Sequence, residues 1–446
     1  MVKNKKLYVC QVCGYSSPKW QGRCPRCGEW ESFLLEEIKK EDGPVAEDVK
    51  ILKYDEIDES KEERFSTGLE EFDRVLGGGV VKGAVILIGG NPGAGKSTLL
   101  LQMAFNLSSS KKVLYVSGEE SLPQIKMRGK RLGGKGSEKL FLLSTTSFEK
   151  LEKGLAEVKP DVLIVDSIQT VGSSNFTSAT GTVVQINYCA RKLVEFAKSS
   201  GCSIFLVGHI TKGGIIAGPK ILEHLVDVVL YFEGNSQKIM ESTRILRSIK
   251  NRFGAVNEVG IFRMESGGLV SVLDPSQIFL SEFGESSYGV SYFCTIEGIR
   301  PIVVEIQALV SLGNFSNARR MSTTYDRNRI SLLLAMLERV TGLNLIPADV
   351  YLNVAGGITV NEPGADLSVL ASIISSFKRI PLPSRALFLG EMGLSGNLRK
   401  IPLLFERIRE AKKLGFKRIF LPPCEVKEEG IEVIKIKNIN DLMEII

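Results

Sequence analysis

A glycine-rich run at residues 90–97, with the sequence GNPGAGKS, holds the residue types that bind phosphate groups. It matches the pattern G-x4-G-K-[ST] and stands between an apolar run and an amphipathic one, which is the strand–loop–helix context of a P-loop. Glycines let successive backbone N–H groups converge on phosphate oxygens at a helix N-terminus. We therefore predict that ATP binds here, with Lys96 on the β- and γ-phosphates and Ser97 on Mg²⁺. The predicted nucleotide contacts are Gly90, Asn91, Pro92, Gly93, Ala94, Gly95, Lys96, Ser97, Thr98 and His209.

Carboxylates end two further apolar runs, which predicts a catalytic magnesium site beside the glycine-rich loop. The run DVLIVD ends in Asp166, which is suited to hold the water shell of Mg²⁺. The run YVSGEE ends in Glu119 and Glu120, and one of these carboxylates can orient and deprotonate the attacking water. We favour Glu119 for that role, and a solvated pair without a catalytic function is the alternative.

Histidine occurs at two positions, 209 and 224, and the first of them follows the apolar run 204–207. A polar side chain at the tip of that strand can contact the γ-phosphate and report hydrolysis to the following loop, residues 211–220. A histidine satisfied by local hydrogen bonds is the alternative, and it is the better interpretation of His224.

Four of the eight cysteines form two Cys-x-x-Cys-Gly pairs near the N-terminus, Cys10 with Cys13 and Cys24 with Cys27. Each pair offers two thiolates from one tight turn, and four thiolates complete a closed tetrahedral site, which predicts one structural Zn²⁺. The spacer of ten residues favours a compact module without a long hairpin. Disulfides are the alternative, and a reducing compartment disfavours them. Basic residues surround the cysteines, so contact with DNA and contact with a partner protein both remain open. They are Lys3, Lys5, Lys6, Lys19, Arg23 and Arg26.

The elements that position these groups follow from the length and texture of the chain. Its 446 residues predict two to four domains, at roughly 100–200 residues per domain. Short β-branched runs alternate with amphipathic runs, so the predicted fold class is α/β, with a parallel sheet flanked by helices. We place a Cys-rich module at residues 1–34, an acidic linker at 35–64, a nucleotide-binding α/β domain at 65–272 and a second α/β domain at 273–446.

The predicted elements lie in both α/β regions. In the first, strands are expected at 85–88, 113–116, 162–165, 204–207 and 228–232. In the second, strands are expected near 292–296, 303–308, 350–354 and 387–390, and helices at 326–341 and 404–414.

Composition narrows the classes of function. Lysine and arginine exceed aspartate and glutamate by 57 to 51, an excess too weak to indicate nucleic acid binding by itself. No apolar run reaches the roughly 18 residues of a membrane span, and the N-terminus lacks the apolar core of a signal peptide. We therefore predict a cytoplasmic protein without a membrane partner.

Several motifs together resemble the bacterial RadA family, also called Sms, whose members are DNA repair proteins with a RecA-like core. The motifs are the P-loop, GEES at 118–121, GHITKGG at 208–214, AGPKILEHLVD at 217–227 and KNRFG at 250–254. The resemblance implies a DNA-stimulated ATPase that assembles as a hexameric ring and carries an N-terminal four-cysteine zinc finger. It also implies that Lys250 and Arg252 act on the nucleotide of a neighbouring subunit, where a cation stabilises the charge of the transition state. A basic surface turn is the alternative for these two residues.

Two loops that follow strand ends beside the nucleotide, residues 172–181 and 212–220, correspond to loops that face the DNA channel in RecA-like rings. Their hydroxyls, glycine amides and lysines suit salt-sensitive, sequence-independent contact with phosphates. The basic run KMRGKR at 126–131, followed by Lys135 and Lys139, is a further candidate, although a solvated face is the usual meaning of such a run. The resemblance implies single-stranded and branched DNA, and a RecA-type recombinase, as partners.

From about residue 273 the chain resembles the Lon protease domain, through GGITVNEPGADLSVL at 356–370 and GEMGLSGNLRKIP at 390–402. A working Lon site needs a serine activated by a lysine, and those positions hold Gly364 and Phe405. We therefore predict an inactive scaffold for ring assembly. Its possible DNA contacts are Arg319, Arg320, Arg327, Arg329, Lys378, Arg379 and Arg385.

Two functional hypotheses follow. The first is a DNA-dependent ATPase, a ring-type motor that processes recombination intermediates in DNA repair and promotes branch migration of strand-exchange products. The second is a nucleotide-switched DNA-binding scaffold that does not translocate. A protease of Lon type is disfavoured, because glycine offers no nucleophile and phenylalanine offers no base.

Overall fold

A computed structural model describes residues 5–38, 53, 63–134, 136–209, 221–234, 242–276, 280, 287–312, 318–322, 324–345, 347–355, 359–426 and 428–446. The greater part of the predicted linker, the loop 212–220, Lys3 and Lys135 lie outside these residues. The chain divides into two compact units, residues 1–236 with 242–273 and residues 237–241 with 274–446. Among the described residues, no helix is long and apolar enough to cross a membrane.

The N-terminal module is an antiparallel sheet of three short strands. They are β1 (Lys5–Cys10), β2 (Ser16–Ser17) and β3 (Phe33–Ile38), in the order β2–β1–β3. Its buried apolar side chains are Val9 and Phe33, together with the thiol-bearing Cys10 and Cys24. A core of this size is too small to offset the entropy of ordering the chain, so the module requires a cross-link such as a metal ion.

From residue 64 the first unit alternates strands and helices. They are β4 (Arg64–Phe65), α1 (Glu70–Leu76), β5 (Val80–Val81), β6 (Val85–Gly90), α2 (Lys96–Leu107), β7 (Val113–Ser117), α3 (Leu122–Arg131), β8 (Leu140–Ser144), α4 (Phe148–Val158), β9 (Val162–Asp166), α5 (Val183–Ser200), β10 (Ser203–Val207), α6 (Ile221–Leu225), β11 (Val228–Gly234), β12 (Thr243–Asn251), β13 (Val259–Glu265) and β14 (Gly268–Ser271). Within the described residues, nine of these strands form one sheet in the order β14–β13–β12–β11–β6–β10–β9–β7–β8.

The sheet of the first unit is mixed. Its six strands from β11 to β8 run parallel, which confirms the five strands predicted for this region and adds β8, which was not predicted. Strands β12, β13 and β14 extend it in the antiparallel sense and were not predicted. Strand β12 is only partly buried and carries arginine and lysine among its apolar residues, so it lacks the continuous apolar run that marks a central parallel strand.

Helices cover both faces of the parallel part of the sheet. Helices α1 and α2 contribute Phe72, Leu100 and Met103 to the core on one face. Helices α4 and α5 contribute Leu151 and Leu193 to the core on the other. Because both faces are covered, a central strand such as β6 is buried along its whole length, and its carboxyl end is held in a fixed position.

The second unit is built on a mixed sheet of its own. Its elements are β15 (Val290–Glu297), β16 (Arg300–Leu312), β17 (Arg320–Ser322), α7 (Arg327–Thr341), β18 (Ala348–Val354), α8 (Asp366–Lys378), β19 (Ala386–Phe388), β20 (Glu391–Met392), β21 (Leu398–Arg399), α9 (Leu404–Lys413), β22 (Arg418–Leu421), β23 (Glu432–Lys435) and α10 (Ile439–Ile445). The described strands of the main sheet follow the order β17–β18–β16–β15–β19–β22–β23. The predicted strands and helices of this region are confirmed, with ends that differ by a few residues. Helix α8 was not predicted, because it is buried on all sides and shows no amphipathic period.

A fully buried carboxylate, Asp366, begins α8 and receives all its described hydrogen bonds from its own unit. The Tyr325 hydroxyl donates to it over 2.7 Å, Arg329 Nε over 3.1 Å and the backbone N–H of Met392 over 2.8 Å. Burial, together with the charge of Asp366, raises the pKa of Tyr325. Arg329 is thus engaged in an internal ion pair, which leaves it poorly placed to serve as the DNA contact that the sequence suggested.

Another carboxylate, Glu149 in the first turn of α4, holds the segment that follows β9. The Ser173 hydroxyl and the backbone N–H of Ser174 each donate to it over 2.8 Å, as does the Ser147 hydroxyl. Burial alone would raise the pKa of Glu149, but these donors lower it to about 2. The start of the loop 172–181 is therefore tied to α4.

We expect Glu149→Gln to lower the melting temperature of the protein by about 2–4 °C at neutral pH, because the charged acceptor of these hydrogen bonds is lost. The pKa is lowered on folding, so this stabilisation is present above the ordinary value of 4.5 and disappears as the pH falls towards about 2. Thermal unfolding followed by circular dichroism at several pH values measures the gap between variant and wild type. A gap that stays constant down to roughly pH 3 would contradict this role of Glu149.

Candidate nucleotide and zinc sites

The loop between β6 and α2 has a backbone that only glycine adopts without strain. Gly90, Gly93 and Gly95 have φ angles of 157°, 77° and 107°. A Cβ atom on Gly90 would lie 2.2 Å from the carbonyl oxygen of Phe232 in the neighbouring strand β11. The loop can therefore approach both β11 and a bound phosphate closely, as a P-loop requires.

Lys96, the first residue of α2, places its ammonium group inside this loop. The residue is 4% exposed, and Nζ donates to the carbonyl oxygens of Gly90 over 2.7 Å and Asn91 over 3.0 Å. Burial lowers the pKa of Lys96, while the charges of Asp166 and Glu119 act in the opposite direction. The predicted partners of the phosphates and of Mg²⁺ thus lie close enough for their charges to interact.

Asp166 is the last residue of β9 and is 5% exposed. The hydroxyl of the fully buried Tyr115, in the adjacent strand β7, donates to Asp166 Oδ2 over 2.6 Å. The strand register pairs Ser117 with Asp166, so the carboxyl ends of β7 and β9 are level with each other. Asp166 therefore lies at the same edge of the sheet as the glycine-rich loop.

The two glutamates that follow β7 have different partners. Glu119 accepts a hydrogen bond from the Ser167 hydroxyl over 2.7 Å and lies 3.0 Å from Nε2 of His209. Burial alone would raise the pKa of Glu119, but the hydrogen bonds from Ser167 and His209 and the charge of Lys96 lower it. Glu119 is therefore an anion at neutral pH that lies within the electrostatic influence of Lys96.

Glu120 points away from this group. Its two carboxylate oxygens pair with the guanidinium of Arg128 in α3, at 3.0 and 2.8 Å. One hydrogen bond and one close ion-pair contact restrict both side chains and leave Glu120 occupied. Of the two candidates for activating water, the structure brings only Glu119 to the nucleotide edge.

The two histidines lie at opposite edges of the sheet. His209 follows β10 at the carboxyl edge, where Nε2 contacts Glu119 and Nδ1 has no hydrogen-bond partner within the described residues. His224 is exposed on the short helix α6, which precedes the amino end of β11. The structure thus brings His209, and not His224, to the candidate site.

Lys250 and Arg252, in the KNRFG motif, contact the segment that precedes β11. Lys250 Nζ donates to the carbonyl oxygens of Glu223 and Val226, each over 2.7 Å. The exposed Arg252 pairs with Asp227 Oδ1 at 3.1 Å. Burial lowers the pKa of Lys250, and the charge of Arg252 adds to this effect.

The register of β11 shows where this motif lies relative to the nucleotide edge. Phe232, near the carboxyl end of β11, pairs with Gly90 of the glycine-rich loop. Val228, at the amino end, pairs with Asn251 of the motif. The two ends are about 13 Å apart at roughly 3.3 Å per residue, so the motif lies at the opposite edge of the sheet from the nucleotide site of its own chain.

The four N-terminal cysteines form one cluster with metal-binding geometry. Their Sγ atoms all lie within 4.8 Å of one another, at 3.7 Å for Cys10 and Cys27 and 3.5 Å for Cys13 and Cys24. A tetrahedral zinc site with Zn–S bonds of about 2.3 Å requires sulfur atoms about 3.8 Å apart. Four thiolate donors at this spacing fit Zn²⁺, and no comparable cluster occurs elsewhere in the described residues.

The Lon-like positions of the second unit lack catalytic groups. Gly364 is buried, and a Cβ atom there would lie 3.1 Å from the Ile401 side chain. Phe405, in the first turn of α9, is half exposed. The residues at these two positions can supply neither a nucleophile nor a base.

The sequence interpretation missed three residues of the nucleotide edge. Tyr115 and Arg128 connect to Asp166, and Arg244 Nε donates to the carbonyl oxygen of Ala94 over 3.0 Å. A tyrosine inside the apolar strand β7 is the one signal that could have indicated a buried polar partner, since a buried hydroxyl needs a hydrogen bond. Arg244 has no signal in the sequence. Arg128 lies in the basic run 126–131, a candidate DNA contact, but its guanidinium is engaged with Glu120 and Tyr115 instead.

Models of known protein families match three parts of the chain. The family model of an AAA domain matches residues 53–214, that of a rubredoxin metal binding domain matches residues 8–34, and that of subunit ChlI of Mg-chelatase matches residues 322–425. Among solved structures, the KaiC-like protein PH0186 from Pyrococcus horikoshii is similar, with a TM-score of 0.41 and 17% identity, over 47% of this chain and 99% of that chain.

Curated relatives match the chain along its whole length, and they are described as DNA repair protein RadA. The relative from Bacillus subtilis is 49% identical, with 99% of each chain covered. The relative from Listeria monocytogenes is 46% identical, over 97% of this chain and 98% of its own. The relative from Streptococcus pyogenes serotype M1 is 46% identical, with 99% of each chain covered.

We expect the purified protein to contain about one Zn²⁺ per chain, and its removal by a chelator to unfold the N-terminal module while the remaining core stays folded. Trp20 and Trp30, the two tryptophans of the chain, both lie in this module, so the anisotropy of tryptophan emission should fall on chelation. Cys13→Ser should reproduce the effect. Cys424→Ser, at a partly buried cysteine outside the cluster, is the matched control. Unchanged anisotropy after metal loss would contradict a structural role of zinc.

Proposed function

The chain belongs to the RadA family of DNA repair proteins, and from this premise we propose that it is a Mg²⁺-dependent, DNA-stimulated ATPase. The observation that carries the proposal is the convergence of Lys96, Asp166 and Glu119 at the edge where the glycine-rich loop lies. We propose further that the ATPase drives a hexameric ring that moves branched DNA during recombination. A cytoplasmic location and a RecA-type recombinase as partner belong to the same proposal.

In the proposed reaction, the side chains of the site either stabilise the negative charge of the phosphates or activate the attacking water. The backbone N–H groups from Gly93 to Ser97 and the ammonium of Lys96 bind the phosphates. Ser97 and Asp166 would hold Mg²⁺ and its water shell, and the ion would supply positive charge to the phosphates. Glu119 accepts a proton from the attacking water, a role that its ionised state permits. His209, in contact with Glu119, links that carboxylate to the loop 211–220.

The position of KNRFG supports action across a subunit boundary. In its own chain the motif lies at the edge of the sheet opposite the glycine-rich loop, so Lys250 and Arg252 are not placed to reach the nucleotide bound there. In a closed ring with head-to-tail contacts, one edge of each subunit faces the other edge of its neighbour. A cation supplied in this way stabilises the charge that develops on the phosphoryl oxygens.

The loop 172–181 supports the DNA part of the proposal. It follows β9 after a short 3-10 turn at Ile168–Thr170, and Glu149 ties its first residues to α4. Its serine and threonine hydroxyls suit contact with the phosphate backbone of a single strand. DNA held there lies one short segment away from Asp166, which offers a direct route from hydrolysis to movement.

Two other functions are alternatives to the DNA-moving ATPase. A nucleotide-switched scaffold needs the same site and the same ring but does not move DNA. A Lon-type protease is disfavoured, because Gly364 and Phe405 replace its nucleophile and base. Displacement of a paired strand in the presence of ATP separates the motor from the scaffold.

We expect Lys96→Ala to lower ATP turnover by about 100-fold or more, with single-stranded DNA and without it, because the buried cation of the loop is lost. Turnover of the wild type should rise when a single-stranded homopolymer is added, and the rise should shrink with increasing salt. Lys82→Ala, at an exposed lysine paired with Glu63, is the matched control and should leave turnover unchanged. Wild-type turnover that neither depends on Lys96 nor responds to DNA would remove the motor proposal.

We expect Arg252→Ala to leave ATP affinity within about 2-fold and to lower turnover by about 100-fold or more, because the residue acts on a neighbour's transition state. The matched control is Arg263→Ala, which also removes an exposed arginine paired with a carboxylate. Mixing the Arg252→Ala and Lys96→Ala proteins should restore part of the turnover, because some interfaces then combine two intact halves. Co-assembled mixtures that stay inactive would contradict action across the boundary.

A further inference from the structure

Three side chains link helix α3 to the carboxylate at the end of β9. Arg128 Nη2 donates to the Tyr115 hydroxyl oxygen over 3.2 Å, and that hydroxyl donates its own proton to Asp166 Oδ2 over 2.6 Å. Tyr115 is fully buried and the Arg128 side chain is 13% exposed. The Tyr115 hydroxyl accepts a hydrogen bond from a cation and donates one to a carboxylate, so its proton is held pointing towards the carboxylate.

Arg128 is constrained both at its guanidinium group and through the helix that carries it. Glu120 holds its guanidinium through two contacts of 3.0 and 2.8 Å. A capping box between Ser121 and Gln124 fixes the first turn of α3, two turns before Arg128. Glu120 in turn donates its backbone N–H to the Ser117 hydroxyl at the end of β7. The arrangement therefore joins the end of one central strand to the acid of the next.

We propose that Tyr115 and Arg128 are positioning residues for ATP hydrolysis, which hold the Asp166 carboxylate through Oδ2 so that its other oxygen is directed to Mg²⁺. This inference rests on the proposed function. Adjacent carboxylates thereby have separate tasks, since Glu119 acts on water and Glu120 anchors Arg128.

The need for such an arrangement follows from the charge of Lys96. The Lys96 ammonium attracts the Asp166 carboxylate. If this carboxylate were free to rotate, the ammonium would compete with the metal ion for its oxygen atoms. The Tyr115 hydroxyl, held from behind by Arg128, opposes this rotation. Partners of this kind, one shell away from a metal ion, affect its binding about 10- to 100-fold.

The test is Tyr115→Phe in the full-length protein, a change that keeps the ring and removes one hydroxyl. ATP turnover is measured at saturating ATP over a range of Mg²⁺ concentrations. We expect the Mg²⁺ concentration for half-maximal turnover to rise about 10-fold, while turnover at saturating Mg²⁺ recovers to within about 3-fold of the wild type. Binding of Mn²⁺ to the protein with a non-hydrolysable ATP analogue is measured separately by electron paramagnetic resonance, and its dissociation constant should also rise about 10-fold. Loss of packing alone would lower turnover at every Mg²⁺ concentration by the same factor, and that result would overturn the inference.

Tyr325→Phe is the matched control, because it removes a buried hydroxyl that donates to Asp366 over 2.7 Å in the second unit. It should destabilise the protein to a similar extent without changing the response to Mg²⁺. Arg128→Lys, at the less buried end of the arrangement, keeps a positive charge but loses one of the two contacts with Glu120, and it should shift the Mg²⁺ response in the same direction by a smaller factor.

The outcomes separate the inference from the function on which it rests. Suppose that the wild type hydrolyses ATP and that Lys96→Ala abolishes this activity. An unchanged Mg²⁺ response in Tyr115→Phe and Arg128→Lys would then overturn the positioning role alone. If the wild type shows no ATP turnover, or turnover that Lys96→Ala does not reduce, the proposed function is overturned and the positioning role with it.

Discussion

The hydrogen-bonded register of the parallel strands in the first unit is the constraint on which the candidate site depends. Because β6, β7, β9 and β10 run in one direction and pair level with one another, the residues that follow them meet at a single edge. Lys96, Glu119, Asp166 and His209 are far apart in the chain, and each is placed by the strand that precedes it. Helices on both faces bury these strands, so their ends stay fixed relative to one another.

The sequence predicted the parts of this structure that leave a local pattern. The glycine-rich loop, the apolar runs before Asp166 and His209, and the cysteine pairs each combine residue type with spacing, and the strands and helices predicted from such runs are present. What it did not predict depends on packing. Strand β12 mixes charged and apolar residues, helix α8 has no polar side, and Arg128 reaches Tyr115 only through the packing of α3 on the sheet. Contacts of that kind have no signature in a single sequence.

The N-terminal module and the nucleotide core achieve order by different means. The core buries two large apolar clusters against a sheet, and the hydrophobic effect suffices. The module has few buried apolar side chains, two of which bear the thiols of its own metal cluster. With a metal ion held by these thiolates, folding of the module and binding of the ion would be a single equilibrium, whereas the core would not depend on the ion.

The packing around Gly364 decides what it would take to place a protease site in the second unit. A serine placed there would bring its side chain against Ile401, and Phe405 would still have to become a lysine. Installing the serine and lysine of a Lon site would thus take two substitutions, Gly364→Ser and Phe405→Lys, and a small shift of Ile401. Neither substitution alone supplies both a nucleophile and its base, so a protease site cannot be engineered here one residue at a time.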